Sequence, residues 1–198
     1  MKRQVNLLLF PEVEVLDFAG PFEVFSVASE LHGHALFEVT TVAAAPGPLA
    51  AVNGLKVLPD TTIDEALQAD ILIVPGGVGS RRARQDPALL DWLRRQGAGA
   101  AHVLSVCTGA RLLAAAGLLA GQRYATHHEA ADEIEAENPD ATLVRGARYT
   151  DNGHVLTAAG VSSGIDLSLY LVGKLHGTAV VERTAAYIEY DWRQRAPG

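Results

Sequence analysis

The stretch HVLSVCTGARLLAAAGLLAG, residues 102–121, joins a short apolar run to a helix-forming run and holds the only cysteine of this 198-residue chain. HVLSV has the length and β-branched content of a buried strand, and the alanine- and leucine-rich sequence that follows is typical of a helix. Gly109 and Ala110 are small residues at the point where a tight turn would crowd a larger side chain. The stretch therefore predicts a sharp strand-to-helix turn with Cys107 at its tip.

The same order of strand, loop and helix repeats along most of the chain. Gly20 and Pro21 indicate the start of a first helix, and a short second helix is predicted to begin near Thr61 or Thr62. Continuous apolar runs, which are typical of strands buried on both faces, precede these helices. The runs are QVNLLLF, FEVTTVAA and ILIVP.

Two segments carry the signature of a β-hairpin. Asn53-Gly54 lies between apolar runs and predicts a two-residue turn, and residues 148–160, RYTDNGHVLTAAG, predict a second hairpin. Together with the alternating strands and helices, they predict one α/β domain over residues 1–198. Its expected architecture is a doubly wound three-layer sandwich, with a mostly parallel central sheet, helices on both faces and the hairpins at the edges.

Composition narrows the class of function. The net charge of -7 and the pI near 5.4 argue against binding to nucleic acid or to an anionic membrane surface, because both need clustered Lys and Arg. The apolar run near the amino terminus is interrupted by Pro11 before it could span a membrane or form a secretory signal. We therefore expect a soluble cytoplasmic protein. One cysteine makes no internal disulfide, so its thiol is buried filler, a reactive group or an intermolecular link.

Candidate functional residues follow several predicted strands. Ligands of open parallel sheets bind beyond the carboxyl ends of the strands, where we expect Cys107, Asp17 and the glycine-rich segment 75–79. The first N–H groups of the helix after Cys107 would favour its thiolate, although a lone cysteine also packs as a small hydrophobe. Asp17 could lie beside the thiol or simply begin a helix. The glycines could expose N–H groups to an anion or form an ordinary turn.

Further polar residues lie at the ends of later predicted strands. His127 and His128 follow one of them, and Ser162, Ser163 and Asp166 could line the far side of the pocket or begin the next helix. A second cysteine and an HExxH motif are both absent from the sequence, so neither a metal site nor a cofactor is predicted.

Four stretches together resemble the ThiJ/PfpI superfamily, which is related to class I glutamine amidotransferases, and they cover nearly the whole chain in the right order. The resemblance implies a flavodoxin-like sandwich, a homodimer and a small-molecule substrate, with Cys107 as the nucleophile. The stretches are LLLFPEVEVLDFAGPFEVF, ILIVPGGVG, LSVCTGARLLAAAGLLAGQRYATHH and DNGHVLTAAGVSSGIDLSLYLV.

The resemblance also implies roles for individual residues. Asp17 matches the acidic residue beside the thiol, and Thr108 follows the cysteine as it does in the isocyanide hydratase group. Gly77 and Val78 match the turn that binds an oxyanion. His127 matches a histidine in a TTHW-like segment that reads ATHH here. Ser162 remains a candidate substrate contact from its position alone.

Within the superfamily, the chain looks most similar to the isocyanide hydratase group and to the amidase-like domains of AraC-type regulators. Protease-like members have histidine where this chain has Thr108, and glyoxalase and deglycase members usually have glutamate where it has Asp17. We therefore predict hydration of a small isocyanide to an N-substituted formamide through a thioimidate on Cys107. The alternatives are a glyoxalase-, deglycase- or amidase-like cysteine enzyme, and a non-catalytic domain that senses redox state or a ligand.

Overall fold

A computed structural model describes residues 1–193 and 195–198 of the chain, in which strands and helices alternate. The strands are β1 (Arg3–Leu9), β2 (Phe37–Ala43), β3 (Leu49–Ala50), β4 (Lys56–Val57), β5 (Thr61–Thr62), β6 (Ile71–Val74), β7 (His102–Val106), β8 (Arg123–Tyr124), β9 (Thr142–Leu143), β10 (Tyr149–Asp151) and β11 (Val155–Ala158). The helices are α1 (Val15–Glu30), α2 (Ser80–Ala83), α3 (Pro87–Gly99), α4 (Ala110–Ala115), α5 (Ala131–Glu137), α6 (Ser163–His176) and α7 (Thr178–Tyr187).

Seven strands form the central sheet, in the order β10-β11-β7-β6-β1-β2-β5. Every neighbouring pair is parallel except β10 and β11, which form an antiparallel hairpin at one edge. The inner strands are continuous apolar runs because both of their faces are covered, and all four residues of β6 are buried. The carboxyl ends of β1, β6 and β7 lie side by side, which brings their following loops together.

The helices pack in two groups, as a three-layer fold requires. Helices α1, α6 and α7 contact one another, and α4 contacts α2, α3 and α5. The predicted architecture, a mostly parallel sheet flanked by helices, is confirmed. Within residues 1–193 and 195–198, none of the helices is long and apolar enough to cross a membrane.

The first helix begins earlier than the sequence predicted. Helix α1 starts at Val15, so Gly20 and Pro21 lie inside it rather than at its start. A Cβ on Gly20 would come within 2.8 Å of a side-chain carbon of Ile165 in α6. The Gly-Pro pair therefore reflects close packing of two helices and not a helix boundary. The earlier start places Asp17 in the first turn of α1.

The helix predicted near Thr61 and Thr62 is not formed. Those two residues form β5, which extends the sheet beyond β2. Asp60 holds the segment in place, since its carboxylate accepts hydrogen bonds from the Thr41 backbone N–H at 2.8 Å and from the Thr41 hydroxyl at 2.7 Å. Pairing with an existing strand edge thus prevails over the helix-forming residues that follow.

Both predicted hairpins are formed, but the first differs in detail. Strands β3 and β4 make a separate two-stranded sheet rather than an edge of the main sheet, and residues 51–55 connect them in place of a two-residue turn. Asn53 and Gly54 do adopt the positive φ values, 62° and 87°, that this dipeptide favours. The Val52 N–H donates to the Val13 carbonyl at 2.9 Å, which attaches the hairpin to the loop before α1.

Candidate active site

Cys107 lies at the tip of the predicted strand-to-helix turn. Strand β7 ends at Val106, and a single 3-10 turn over Cys107–Gly109 leads into α4. Cys107 has a φ of 57°, a left-handed conformation that costs a non-glycine residue of order 1 kcal/mol or more. Two hydrogen bonds hold it there: its N–H donates to the Ala159 carbonyl, and the Thr126 hydroxyl donates to its carbonyl, both at 2.8 Å. This is the geometry of a nucleophile elbow.

Asp17 reaches the thiol from the first turn of α1. Its side chain is fully buried, and its Oδ2 accepts a hydrogen bond from the Gly76 N–H at 2.9 Å. The carboxyl group lies close enough to Cys107 for each group to shift the pKa of the other, and its Oδ1 has no hydrogen-bond partner in the described residues. Burial raises the pKa of Asp17 to about 7, against the lowering effect of the Gly76 hydrogen bond and of the Cys107 side chain. A carboxyl group with this pKa can both accept and return a proton near neutral pH.

The thiol of Cys107 is protonated at neutral pH, which reverses the expectation from the sequence. Burial, followed by the charge of Asp17, raises its pKa to about 12. The backbone N–H groups of Val161 and Thr108 lower the pKa, but their effect is smaller. Helix N–H groups therefore do not ionise this cysteine by themselves. A reaction at its sulfur needs a proton acceptor, and Asp17 is in contact with it.

The raised pKa of Cys107 predicts an unusual alkylation profile. We expect the rate of alkylation by iodoacetamide to keep rising above pH 9, because a thiol with a pKa near 12 is still mostly protonated there. At pH 7.5 its thiolate fraction would be about a thousandfold below that of an ordinary thiol. The same chain unfolded in urea is the control, and its thiol should titrate near 9. A plateau below pH 9 in the native protein would contradict the prediction.

The glycine-rich turn after β6 offers one free donor rather than two. The N–H of Gly77, expected to bind an oxyanion, donates instead to the Thr108 hydroxyl at 2.9 Å. The N–H of Val78 has no hydrogen-bond partner within residues 1–193 and 195–198, and Val78 is 65% exposed. Thr108 acts on this turn through its side chain, while its backbone N–H is directed at the Cys107 sulfur. Within this turn, Val78 is therefore the backbone donor that remains for a substrate.

A cavity of about 340 Å³ opens over the sulfur. Although Cys107 is only 6% exposed, it forms part of the cavity wall. His127 lies in the same wall, as the sequence predicted, and its Nδ1 accepts the Glu129 N–H at 3.3 Å. The exposed His128 stacks against the His127 ring with centroids 4.4 Å apart. The charged side chains in the wall are Glu14, Arg81, Arg111 and Glu129.

Ser162, predicted as a substrate contact, does not line this cavity. Its hydroxyl accepts a hydrogen bond from Arg148 at 3.1 Å. Arg148 also pairs with Asp166, which in turn accepts the Tyr190 hydroxyl at 3.2 Å. Ser163 is buried and lines a different cavity. Ser162 and Asp166, at the start of α6, therefore belong to a hydrogen-bonded cluster and do not line the cavity over Cys107.

Two contributors to the site were missed in the sequence. Val161 has a φ of 36°, rare for a β-branched residue, and its backbone N–H lowers the pKa of Cys107. Arg111 is only 2% exposed although it belongs to the class of residues that is most often solvated. A charged residue four positions after the cysteine, in an otherwise apolar run, was the signal for Arg111. The sequence contains no comparable signal for Val161.

The described part of the chain contains no group of three or more His, Cys, Asp or Glu side chains that could hold a metal ion. The polar groups around Cys107 are instead a carboxyl group, backbone N–H groups and a histidine. The chemistry that they offer is nucleophilic addition with proton transfer.

Comparison with known proteins agrees with this geometry. The profile of the DJ-1/PfpI family matches residues 3–174. The chain belongs to the DJ-1/PfpI family. Among curated relatives, isonitrile hydratase from Pseudomonas putida is 33% identical over 96% of this chain and 79% of the relative. A crystal structure of a ThiJ/PfpI family protein from Pseudomonas syringae superposes with a TM-score of 0.87 and 27% identity, over 99% of this chain and 78% of that one.

This DJ-1/PfpI chain is also similar to transcriptional regulators. The helix-turn-helix regulator CdhR from Pseudomonas aeruginosa is 33% identical over 89% of this chain, which spans 52% of the regulator. The regulator similarity therefore concerns about half of that protein. Membership of the DJ-1/PfpI family shows the fold of this chain, and the residues around Cys107 determine which reaction it can perform.

Proposed function

We propose that this protein hydrates small isocyanides to N-substituted formamides, with Cys107 as the nucleophile and Asp17 as the acid–base group. The observation that carries the proposal is a buried carboxyl group beside an elbow cysteine that opens on a cavity. The similarity to isonitrile hydratase over 96% of the chain supports it. The cavity volume, about 340 Å³, suits a small-molecule substrate.

The first step adds the thiol across the terminal isocyanide carbon. The Asp17 carboxylate takes the proton from the thiol while the sulfur forms a bond to that carbon. Asp17 then delivers the same proton to the carbon, so that a C–S bond and a C–H bond form and the carbon–nitrogen triple bond becomes a double bond. The product of this step is a thioimidate on Cys107.

The second step adds water and releases the thiol. The Asp17 carboxylate accepts a proton from water as the water oxygen bonds to the thioimidate carbon. Asp17 then passes this proton to the nitrogen, which leaves a hydroxyl group on the tetrahedral carbon. Asp17 takes the proton of that hydroxyl group as the C–S bond breaks and the carbon becomes the formyl carbonyl, and it returns this proton to the sulfur. One water is consumed, and both protein groups return to their initial states. The free N–H of Val78 can stabilise negative charge that develops in the adduct, as donors in oxyanion holes do.

Two features of the site disfavour a protease-like reaction and a redox sensor. Thr108 follows the nucleophile in the chain and bonds to Gly77, so a histidine directly after the cysteine, as in protease-like members, is lacking. Oxidation of a sensor cysteine begins from the thiolate, and the pKa of Cys107 is raised to about 12. The raised pKa of Cys107 favours activation of the thiol by Asp17 during catalysis.

We expect purified protein to convert cyclohexyl isocyanide to N-cyclohexylformamide, with the formyl proton followed by NMR. The Cys107→Ala variant should give the rate of buffer alone, because it lacks the atom that bonds to the substrate. Wild-type activity should rise with pH through about 7, as Asp17 becomes ionised and able to accept the thiol proton. Equal rates for the wild type and the alanine variant would refute the proposal.

A further inference from the structure

A chain of hydrogen bonds runs from a buried arginine to the glycine-rich turn. Arg111, in the first turn of α4, donates from Nη1 to the Ser80 hydroxyl at 2.7 Å. The Ser80 hydroxyl donates to the Thr108 hydroxyl at 3.2 Å, and the Thr108 hydroxyl donates to the Gly77 carbonyl at 3.2 Å. The Thr108 hydroxyl also accepts from the Gly77 N–H. The three bonds from Arg111 to the Gly77 carbonyl nevertheless run in one direction and begin on a cation. Such chains polarise each member in turn.

The hydrogen bond from the Thr108 hydroxyl to the Gly77 carbonyl fixes the peptide group that carries the free Val78 N–H. The Gly77 carbonyl and the Val78 N–H belong to one peptide group, and in a trans peptide they point in opposite directions. With its carbonyl held by Thr108 and by the Ser80 N–H at 3.1 Å, the peptide turns the Val78 N–H away from both residues. Val78 lies in the wall of the cavity over Cys107.

We propose that Arg111 is a positioning residue that acts through Ser80 and Thr108 to keep the Val78 N–H directed at the substrate. Arg111 need not contact the substrate for this role. Its positive charge strengthens the chain that ends on the Gly77 carbonyl, and polarising that carbonyl makes the Val78 N–H a better donor. The inference deepens the proposed function and rests on it for the kinetic test, whereas the geometry can be tested alone.

The contacts of Arg111 argue against a purely stabilising role. Its Nε is buried and has no hydrogen-bond partner in the described residues, so the guanidinium is incompletely satisfied. Its acidic partner Glu133, which accepts from Nη2 at 3.2 Å, also accepts from Arg81 at 2.7 Å. Removing Arg111 would therefore leave Glu133 paired. A buried charge with an unmet donor is a poor stabilising device, which favours a functional reason for its presence.

The kinetic test compares Arg111→Met with Arg84→Met. The Arg84 side chain pairs with Glu137 and makes no hydrogen bond to Ser80, and the Arg84 backbone N–H, which donates to the Ser80 carbonyl at 3.1 Å, is kept in the methionine variant, so Arg84 is a matched control. We expect Arg111→Met to lower kcat for cyclohexyl isocyanide by about 10- to 100-fold, with KM changed less than threefold. Alkylation of Cys107 by iodoacetamide should stay within twofold of wild type, because that reaction uses no oxyanion donor. An unchanged kcat, or an equal loss in Arg84→Met, would overturn the inference.

Ser80→Ala provides a second, independent variant, since it breaks the same chain while keeping the arginine. We expect Ser80→Ala to lower kcat as Arg111→Met does. In the double variant Ser80→Ala/Arg111→Met, kcat should fall by no more than it does in the more strongly affected single variant. Fully multiplicative losses would show that the two residues act separately and would overturn the inference.

Nuclear magnetic resonance tests the geometry even if no isocyanide is turned over. We expect the Val78 amide cross-peak in a ¹⁵N–¹H spectrum to shift or broaden in Arg111→Met and in Ser80→Ala, and to be unchanged in Arg84→Met. If wild-type protein is inactive but the Val78 signal responds in this way, the proposed reaction fails and the positioning role stands. If the Val78 signal does not move in either Arg111→Met or Ser80→Ala, the positioning role of Arg111 is overturned, whatever the hydratase activity of the variants.

Discussion

Replacing Asp17 by asparagine is expected to lower kcat for isocyanide hydration by about 10²- to 10⁴-fold, the usual contribution of a general acid–base group. Asparagine can keep the hydrogen bond from the Gly76 N–H but cannot carry the proton from sulfur to carbon. Steady-state rates from pH 5 to 9 measure the effect, and the rise through about pH 7 should disappear with the carboxyl group. Asp64→Asn, at an exposed position, is the control.

The same variant should become more stable where the wild type carries the buried charge. Folding raises the pKa of Asp17 from 3.8 to about 7, so the folded state holds its proton more tightly than the unfolded state. The contribution of Asp17 to the free energy of unfolding of the wild type therefore decreases as pH rises from about 4 to about 7. We expect Asp17→Asn to gain up to about 4 kcal/mol in unfolding free energy at pH 8, relative to its effect at pH 4.

Alkylation distinguishes loss of the acid–base group from damage to the nucleophile. The charge of Asp17 is one cause of the raised pKa of Cys107, so Asp17→Asn should alkylate faster than wild type at pH 8 while turning over more slowly. Faster alkylation and slower hydration in one variant cannot come from a distorted or occluded thiol. Parallel losses in both reactions would instead refute the role given to Asp17.

The position of the nucleophile could be predicted because it depends on local sequence. A buried strand, one cysteine and Gly109 in consecutive positions leave few ways to turn a chain from sheet to helix. The meeting of Asp17 with Cys107 could be predicted from topology, since the residues that follow neighbouring parallel strands share one edge of the sheet. The start of α1 was misplaced, yet this did not move Asp17 away from that edge.

The ionisation of the thiol could not be predicted, because it depends on competing effects in three dimensions. The sequence indicated N–H donors near Cys107, and the structure contains them at Thr108 and Val161, but burial and the Asp17 charge outweigh them. The second donor expected at Gly77 is lost to the Thr108 hydroxyl, a contact between loops 31 residues apart. The hydrogen bond between Ser162 and Arg148 could not be predicted for the same reason, since Arg148 lies in the loop before β10.

Gly109→Ala is expected to destabilise the protein by about 3 to 5 kcal/mol, among the largest effects of a single methyl group. A Cβ at this position would lie 2.1 Å from the Val74 carbonyl oxygen and 2.9 Å from the Pro75 carbonyl oxygen. Both obstacles are backbone atoms, so relief requires movement of the end of β6. That strand end leads into Gly76, which donates to Asp17. The clash therefore threatens the site as well as the fold.

Urea unfolding at pH 7, followed by tryptophan fluorescence, measures the loss, with Gly117→Ala as the matched control. Gly117 ends the same helical segment at a φ of 78° and has open space around it, so alanine there costs only the left-handed conformation, about 1 to 2 kcal/mol. A larger loss at Gly109 than at Gly117 would attribute the effect to the contact between the elbow and β6. Equal losses of unfolding free energy in the two variants would mean that the end of β6 moves to make room for the methyl group. The close approach between Gly109 and β6 would then not be rigid.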